Sequence, residues 1–155
     1  MDFETMIKAL GGKIGIELAP DADGVCQLAV DDMQVVIQQL PELQMVCVFA
    51  EIGEPPPENP TALYEAALAA NHLFQGTSGA TISRDVDTGK LFLCRCDPLP
   101  LLDADSFSAV LEKFVNTLET WRKLVVEYRP VAEAGAKAVA AEQEMPAFGG
   151  SFMQV

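Results

Sequence analysis

The chain has 155 residues, half of them hydrophobic and 21 % charged, a composition that suits one folded domain around one core. Its 23 acidic residues against 10 basic ones leave a net charge of -13, and the first sixty residues hold eleven Asp or Glu against only Lys8 and Lys13. Such a surface repels phosphate backbones and anionic lipid, which speaks against nucleic-acid binding and against membrane attachment through basic patches.

The opening Met1 to Leu10 has no basic region followed by an apolar one, and no stretch approaches about eighteen apolar residues. Neither a secretory signal nor membrane insertion is expected, and a cytoplasmic location is. Asp2 is placed to cap a short helix that carries Phe3, Met6, Ile7 and Leu10 at helical spacing, with Gly11-Gly12 as its stop. Ile14, Ile16 and Leu18 then alternate with Gly15 and Glu17 and suggest an extended segment before the turn Pro20 to Gly24.

Three strand-like runs follow, Val25 to Val30, Met33 to Gln38 and Gln44 to Ile52, separated by turn signals at Asp31-Asp32 and Pro41-Glu42. The third is apolar on both sides, with Met45, Cys47 and Phe49 on one and Val46, Val48 and Ala50 on the other, as in a central strand or one used by a partner. Pro55-Pro56-Pro57 makes a stiff connector. Asn59-Pro60 then opens a helix with Leu63, Tyr64, Ala67, Leu68, Asn71 and Phe74 at helical spacing up to Gly76. Its small residues Ala66, Ala67, Ala69 and Ala70 let another backbone come close.

Ala80 to Val86 and Lys90 to Cys96 flank Asp87-Thr88-Gly89 as a hairpin. A long helix starts near Asp105 and bears Phe107, Leu111, Phe114, Leu118, Trp121, Val125 and Tyr128 as one apolar seam, with Pro130 as its end. Residues 1–130 thus form the domain, and 131–155 is an Ala- and Gly-containing C-terminal extension. The fold class is α+β, a twisted antiparallel sheet with elements in the order α-β-β-β-α-β-β-α.

Chemistry is sparse. His72, the single histidine, has no Ser, Cys or carboxylate at a spacing that announces nucleophilic catalysis. Cys94 and Cys96 share one face of a strand, and Cys47 would join them if its strand were a neighbour, but the spacing does not match a zinc knuckle. Together with Cys26 these thiols read as small buried hydrophobes in a reducing compartment, without a disulfide framework. Gly76-Thr77-Ser78-Gly79 lacks the Lys of a phosphate loop, and Asp21/Asp23 and Asp31/Asp32 read as solvated turn carboxylates. No cofactor, no metal and no enzymatic activity are expected.

The order of elements in a small acidic chain resembles the Tir-chaperone (CesT-like) family of type III secretion chaperones over about residues 2 to 128. Local runs add to it: Phe3-x-x-Met6-Ile7-x-x-Leu10-Gly11, the helix from Asn59-Pro60 with Leu63-Tyr64 and Asn71, and the segment from Asp103 to Tyr128. The resemblance implies a homodimer that holds the N-terminal segment of a secreted effector in non-globular form, soluble and ready for secretion, without ATP. Carried onto this chain, it implies effector-binding grooves from Phe3, Met6, Leu10, Ile14 and Ile16 with Val46 and Val48, and a dimer interface from Leu63, Ala66, Ala67, Ala70 and Phe74. Met6 and Leu10 are then accessible anchors, so that a Glu at either position reduces capture without unfolding. A regulatory or sensory binding protein similar to YbjN is the alternative, and it would escort no effector.

Overall fold

The computed structural model describes residues 1–128. Its elements run α1 (Phe3–Ile14), β1 (Val25–Val30), β2 (Met33–Leu40), β3 (Met45–Gly53), α2 (Thr61–Asn71), β4 (Thr81–Arg84), β5 (Leu91–Pro98) and α3 (Ala104–Glu127). That is the expected order, and the strands form one antiparallel sheet arranged β1-β2-β3-β5-β4. The Pro130 stop and the extension at 131–155 lie outside the described residues.

Asp2 caps α1 by accepting a hydrogen bond from Thr5 N at 2.9 Å, and the helix buries Phe3, Met6, Ile7 and Leu10. It does not stop at Gly11-Gly12. It runs on to Ile14 and ends at Gly15, whose φ of 77° only glycine adopts freely. Gly11 serves packing instead, because a Cβ there would lie 2.6 Å from the carbonyl oxygen of Ile16 in the returning chain. The expected extended run is therefore absent: Ile14 closes the helix, and Ile16 and Leu18 belong to no strand.

β1 and β2 close on Val30 opposite Met33 through Asp31-Asp32, with Asp31 at a φ of 52°. β2 and β3 are joined by a 3-10 turn at Pro41–Leu43 and then Gln44, also left-handed. Alternate side chains of all five strands meet the helices and form the core, among them Leu28, Val35, Ile37, Val46, Val48 and Leu93. β5 lies between β3 and β4, so Cys47 and Cys96 stand directly opposite each other and form a disulfide. This corrects the reading of four free thiols. Cys26 and Cys94 alone are free among the described residues, and only Cys26 is buried.

α2 is shorter than expected, ending at Asn71 rather than continuing to Gly76. The Asn71 side chain leaves to bond the β4 backbone, donating to Ile82 O at 2.9 Å and accepting from Ile82 N at 2.8 Å. Gly76 folds back onto the helix, its N–H on Ala70 O at 3.0 Å and a Cβ excluded by Ala70 at 2.6 Å. Leu73 and Phe74 take left-handed φ values of 51° and 57° in the intervening turn.

α3 begins with a capping box in which Asp103 accepts from Ser106 N at 2.8 Å and Ser106 Oγ accepts from Asp103 N at 2.9 Å. Phe107, Leu111, Phe114, Leu118, Trp121 and Val125 are its buried seam, as the spacing requires. Trp121 Nε1 donates to Gly76 O at 2.9 Å and pins the turn after α2 to α3. An ion pair of Lys13 with Asp105 ties the end of α1 to the start of α3.

Candidate functional site

Among the described residues, the helices cover one face of the sheet and leave the other bare. In the register, Ile37 stands opposite Val48 and Val35 opposite Ala50, and every buried strand residue belongs to this set. The alternate set faces away. There Val36 stands opposite Phe49, Phe49 opposite Cys94, and Cys47 opposite Cys96. With Met45 and Phe92 these residues make an apolar band across β2, β3 and β5, none of it buried. Thr81 and Ser83 of β4 and Gln27 and Ala29 of β1 border it and are exposed.

The residues expected to bind an effector divide sharply against this geometry. Phe3, Met6 and Leu10 are core side chains of α1, and Val46 and Val48 lie beneath the helices. None of the five offers a free surface in the folded monomer, because helical spacing turns the apolar stripe of α1 inward and strand parity does the same for β3. Met6→Glu would place a charge in a dry core and so unfold the chain rather than spare it. Ile14 and Ile16 remain exposed, each at 44 %, where the chain leaves α1.

The expected dimer residues divide likewise. Leu63, Ala67 and Ala70 are buried within the monomer, Ala66 is half-buried, and Phe74 is exposed. The outer side of α2 and its following turn instead present Leu68 at 71 %, Leu73 at 63 % and Phe74 at 52 % exposure. Leu68, expected on the apolar side with Leu63 and Ala67, is instead exposed, because one residue turns the helix about 100° away from Ala67; Leu73 has a left-handed φ of 51°.

The two edges of the sheet differ too. On β4 the Asn71 amide occupies the outward N–H and C=O of Ile82. On β1, Asp21 takes the outward groups of Val25, at 2.9 Å from its N–H to Asp21 Oδ1 and 2.8 Å from Asp21 N to Val25 O. By strand alternation Gln27 and Ala29 aim their backbone groups the same way, and no described residue bonds them there.

A cleft of about 750 Å³ opens between the end of α3 and the β1–β2 turn, floored by Met33, Ile52 and Val125. Its rim mixes Asp31, Glu51, Glu119 and Glu127 with Lys123 and with Arg122, which pairs with Asp32 at 2.8 Å. Elsewhere Lys8, Lys13, Lys90 and Arg95 are likewise engaged by Glu4, Asp105, Glu51 and Asp97, so the cations among the described residues are largely neutralised in place. The two Arg95–Asp97 hydrogen bonds, at 2.7 and 2.9 Å, raise the guanidinium pKa further above its ordinary value. Among the described residues no group of three His, Cys, Asp or Glu is arranged to hold a metal ion, and no helix is long and apolar enough to cross a membrane. His72 is exposed at the end of α2, with no nucleophile bonded to it.

Comparison with known proteins agrees with this architecture. A search of curated protein sequences finds no match. Among solved structures, a chain of the ExsC–ExsE complex superposes with a TM-score of 0.69 at 21 % identity, covering 85 % of this chain and 99 % of that one. The Yersinia pestis type III secretion chaperone SycH, solved with a fragment of YscM2, gives 0.63 at 16 % identity over 77 % of this chain and 99 % of the other. The ExoU–SpcU complex of the Pseudomonas aeruginosa type III secretion system gives 0.63 at 18 % identity over 77 % and 97 %. These likenesses establish the fold. The sequence pattern of one family spans residues 5–122, from the first turn of α1 almost to the end of α3, and by that match the chain belongs to the Tir chaperone protein (CesT) family, a family of chaperones and not of enzymes.

Proposed function

We propose that this protein is a cytoplasmic type III secretion chaperone that binds the N-terminal segment of an effector in non-globular form and keeps it soluble until export. The observation that carries this reading is the apolar band of Val36, Met45, Phe49 and Phe92 on a sheet face that the described helices leave bare, within a strongly acidic protein. An extended segment gains apolar contact there, and it can add backbone hydrogen bonds at Gln27 and Ala29 on the β1 edge. The acidic surplus favours a basic client and keeps the unloaded protein in solution. Ile14 and Ile16 extend the apolar surface at the end of α1, and they alone remain from the anchors first expected.

The chaperone acts as a homodimer through the outer side of α2, where Leu68, Leu73 and Phe74 are too large and too exposed to be left to water without function. Affinity capture from the native cytoplasm tests the main reading. One or a few proteins held by a segment near their N-terminus are expected, with capture lost in Phe49→Glu while circular dichroism stays native. Capture of folded full-length proteins only, or undiminished capture by Phe49→Glu, would overturn it. Light scattering tests the dimer: twice the chain mass is expected for the wild type and the chain mass for Leu68→Glu with Leu73→Glu.

A further inference from the structure

The bare face carries sulfur as well as carbon. Cys47 and Cys96 are bonded across the two central strands, and Cys94 sits on the same face two residues before Cys96, its Sγ 3.5 Å from Ser83 Oγ. The sulfurs differ in access. Cys96 is exposed, Cys47 and Cys94 are half-buried, and Cys26 is sealed in the core, where burial pushes its thiol pKa up and leaves it unreactive.

We infer that Cys47 and Cys96 form a reversible disulfide–dithiol couple that exchanges with small thiols of the glutathione class, attacked at Cys96. A thiolate attacks Cys96 Sγ, a mixed disulfide forms there, the Cys47–Cys96 bond breaks, and Cys47 leaves as a thiolate that takes a proton from water. A second thiolate attacks the small-molecule sulfur of the mixed disulfide and releases Cys96 as a thiolate, so that two thiols are oxidised to one disulfide and the protein gains two thiols.

Two features make the couple reversible rather than a fixed staple. Attack is directed to Cys96 because it is the more exposed of the two residues. The bond is also not what holds β3 to β5, since the register pairs these strands from Met45 opposite Pro98 to Gly53 opposite Leu91. After reduction the ladder still presents Cys47 to Cys96, and this high effective concentration favours closure again under oxidising conditions. The inference stands independently of any client.

The test is a redox titration of the wild-type full chain in mixtures of reduced and oxidised glutathione, quenched by acid, alkylated and mapped by peptide mass. Cys47 and Cys96 are expected to become alkylatable together while circular dichroism stays native, with glutathione on Cys96 in preference to Cys47 and Cys26 unlabelled throughout. The oxidised form is expected to melt at the higher temperature. Cys94→Ser is expected to titrate as the wild type does. Opening that occurs only with loss of the native spectrum, glutathione found first on Cys47, free Cys47 and Cys96 at the most oxidising mixture, or a titration abolished by Cys94→Ser would each overturn the inference.

Discussion

Val48 and Phe49 are neighbours in β3, yet one lies in a dry core beneath the helices and the other on the bare face of the same sheet. The difference shows that hydrophobicity alone does not tell packing from function in this protein. Both residues are apolar, and both strands beside β3 carry apolar side chains on both faces. What separates the two faces is that the three described α-helices spend their buried residues on one of them.

A pair of charges separates the two faces most clearly. Val48→Glu buries a carboxylate with no partner and is expected to cost more than about 4 kcal/mol, enough to abolish a cooperative urea transition. Phe49→Glu should leave that transition nearly in place while removing client capture. Equal damage from both would mean that the bare face is covered after all.

The disulfide belongs to the bare side but acts on the whole chain. It joins positions 49 residues apart, and loop-closure entropy in the unfolded state gives it about 4 kcal/mol when formed. Cys47→Ala with Cys96→Ala is expected to lower the unfolding free energy from urea melts by that amount relative to oxidised wild type, and to match wild type under strong reductant. A deficit that persists under reductant would place the cost in packing on the bare face instead.

A smaller effect concerns the edges. Asn71→Ala strips both partners from Ile82 at the β4 edge, where a loss of about 1 to 3 kcal/mol in denaturant melts is expected. A Gln27→Pro change on β1 removes an outward N–H that nothing in the described chain uses, so stability should hold better than capture does. The reverse pattern would identify β1 as the structural edge.

The smallest effect lies at the start of α3. The backbone N–H of Ser106, and then its hydroxyl, hold the Asp103 carboxyl below the ordinary carboxylate range. A carboxyl depressed on folding stabilises the fold above its unfolded pKa of about 4, and that contribution is lost as pH falls through the lower folded value. Asp103→Asn still caps the helix but does not titrate, so its melting temperature is expected to fall less than that of the wild type between neutral and acid pH.

Much of the fold was legible because local chemistry and burial agree along most of the chain. The α3 seam, the Asp2 cap, the Gly89 hairpin and the order of elements all follow from spacing and turn residues. The site was less legible. Parity in β3 offers two equivalent apolar faces, although β2 held the missing signal: Met33, Val35 and Ile37 alternate with Gln34 and Gln38, and the hairpin register carries Val35 onto Ala50 and Ile37 onto Val48. Met6 and Leu10 were misplaced for a related reason, since an amphipathic stripe looks the same whether its own core or a client covers it.

The acidity, the element order and the resemblance that family membership later justified are properties of composition or of short-range spacing, and so they could be read along the chain. Only the tertiary structure decided which face of β3 is bare, that Asn71 ends α2 to close a strand edge, and that Cys47 meets Cys96. The last depends on β5 entering the sheet between β3 and β4, with α2 intervening in the chain. No local pattern encodes a pairing across that distance, since it is fixed by which strands the helices leave room to join.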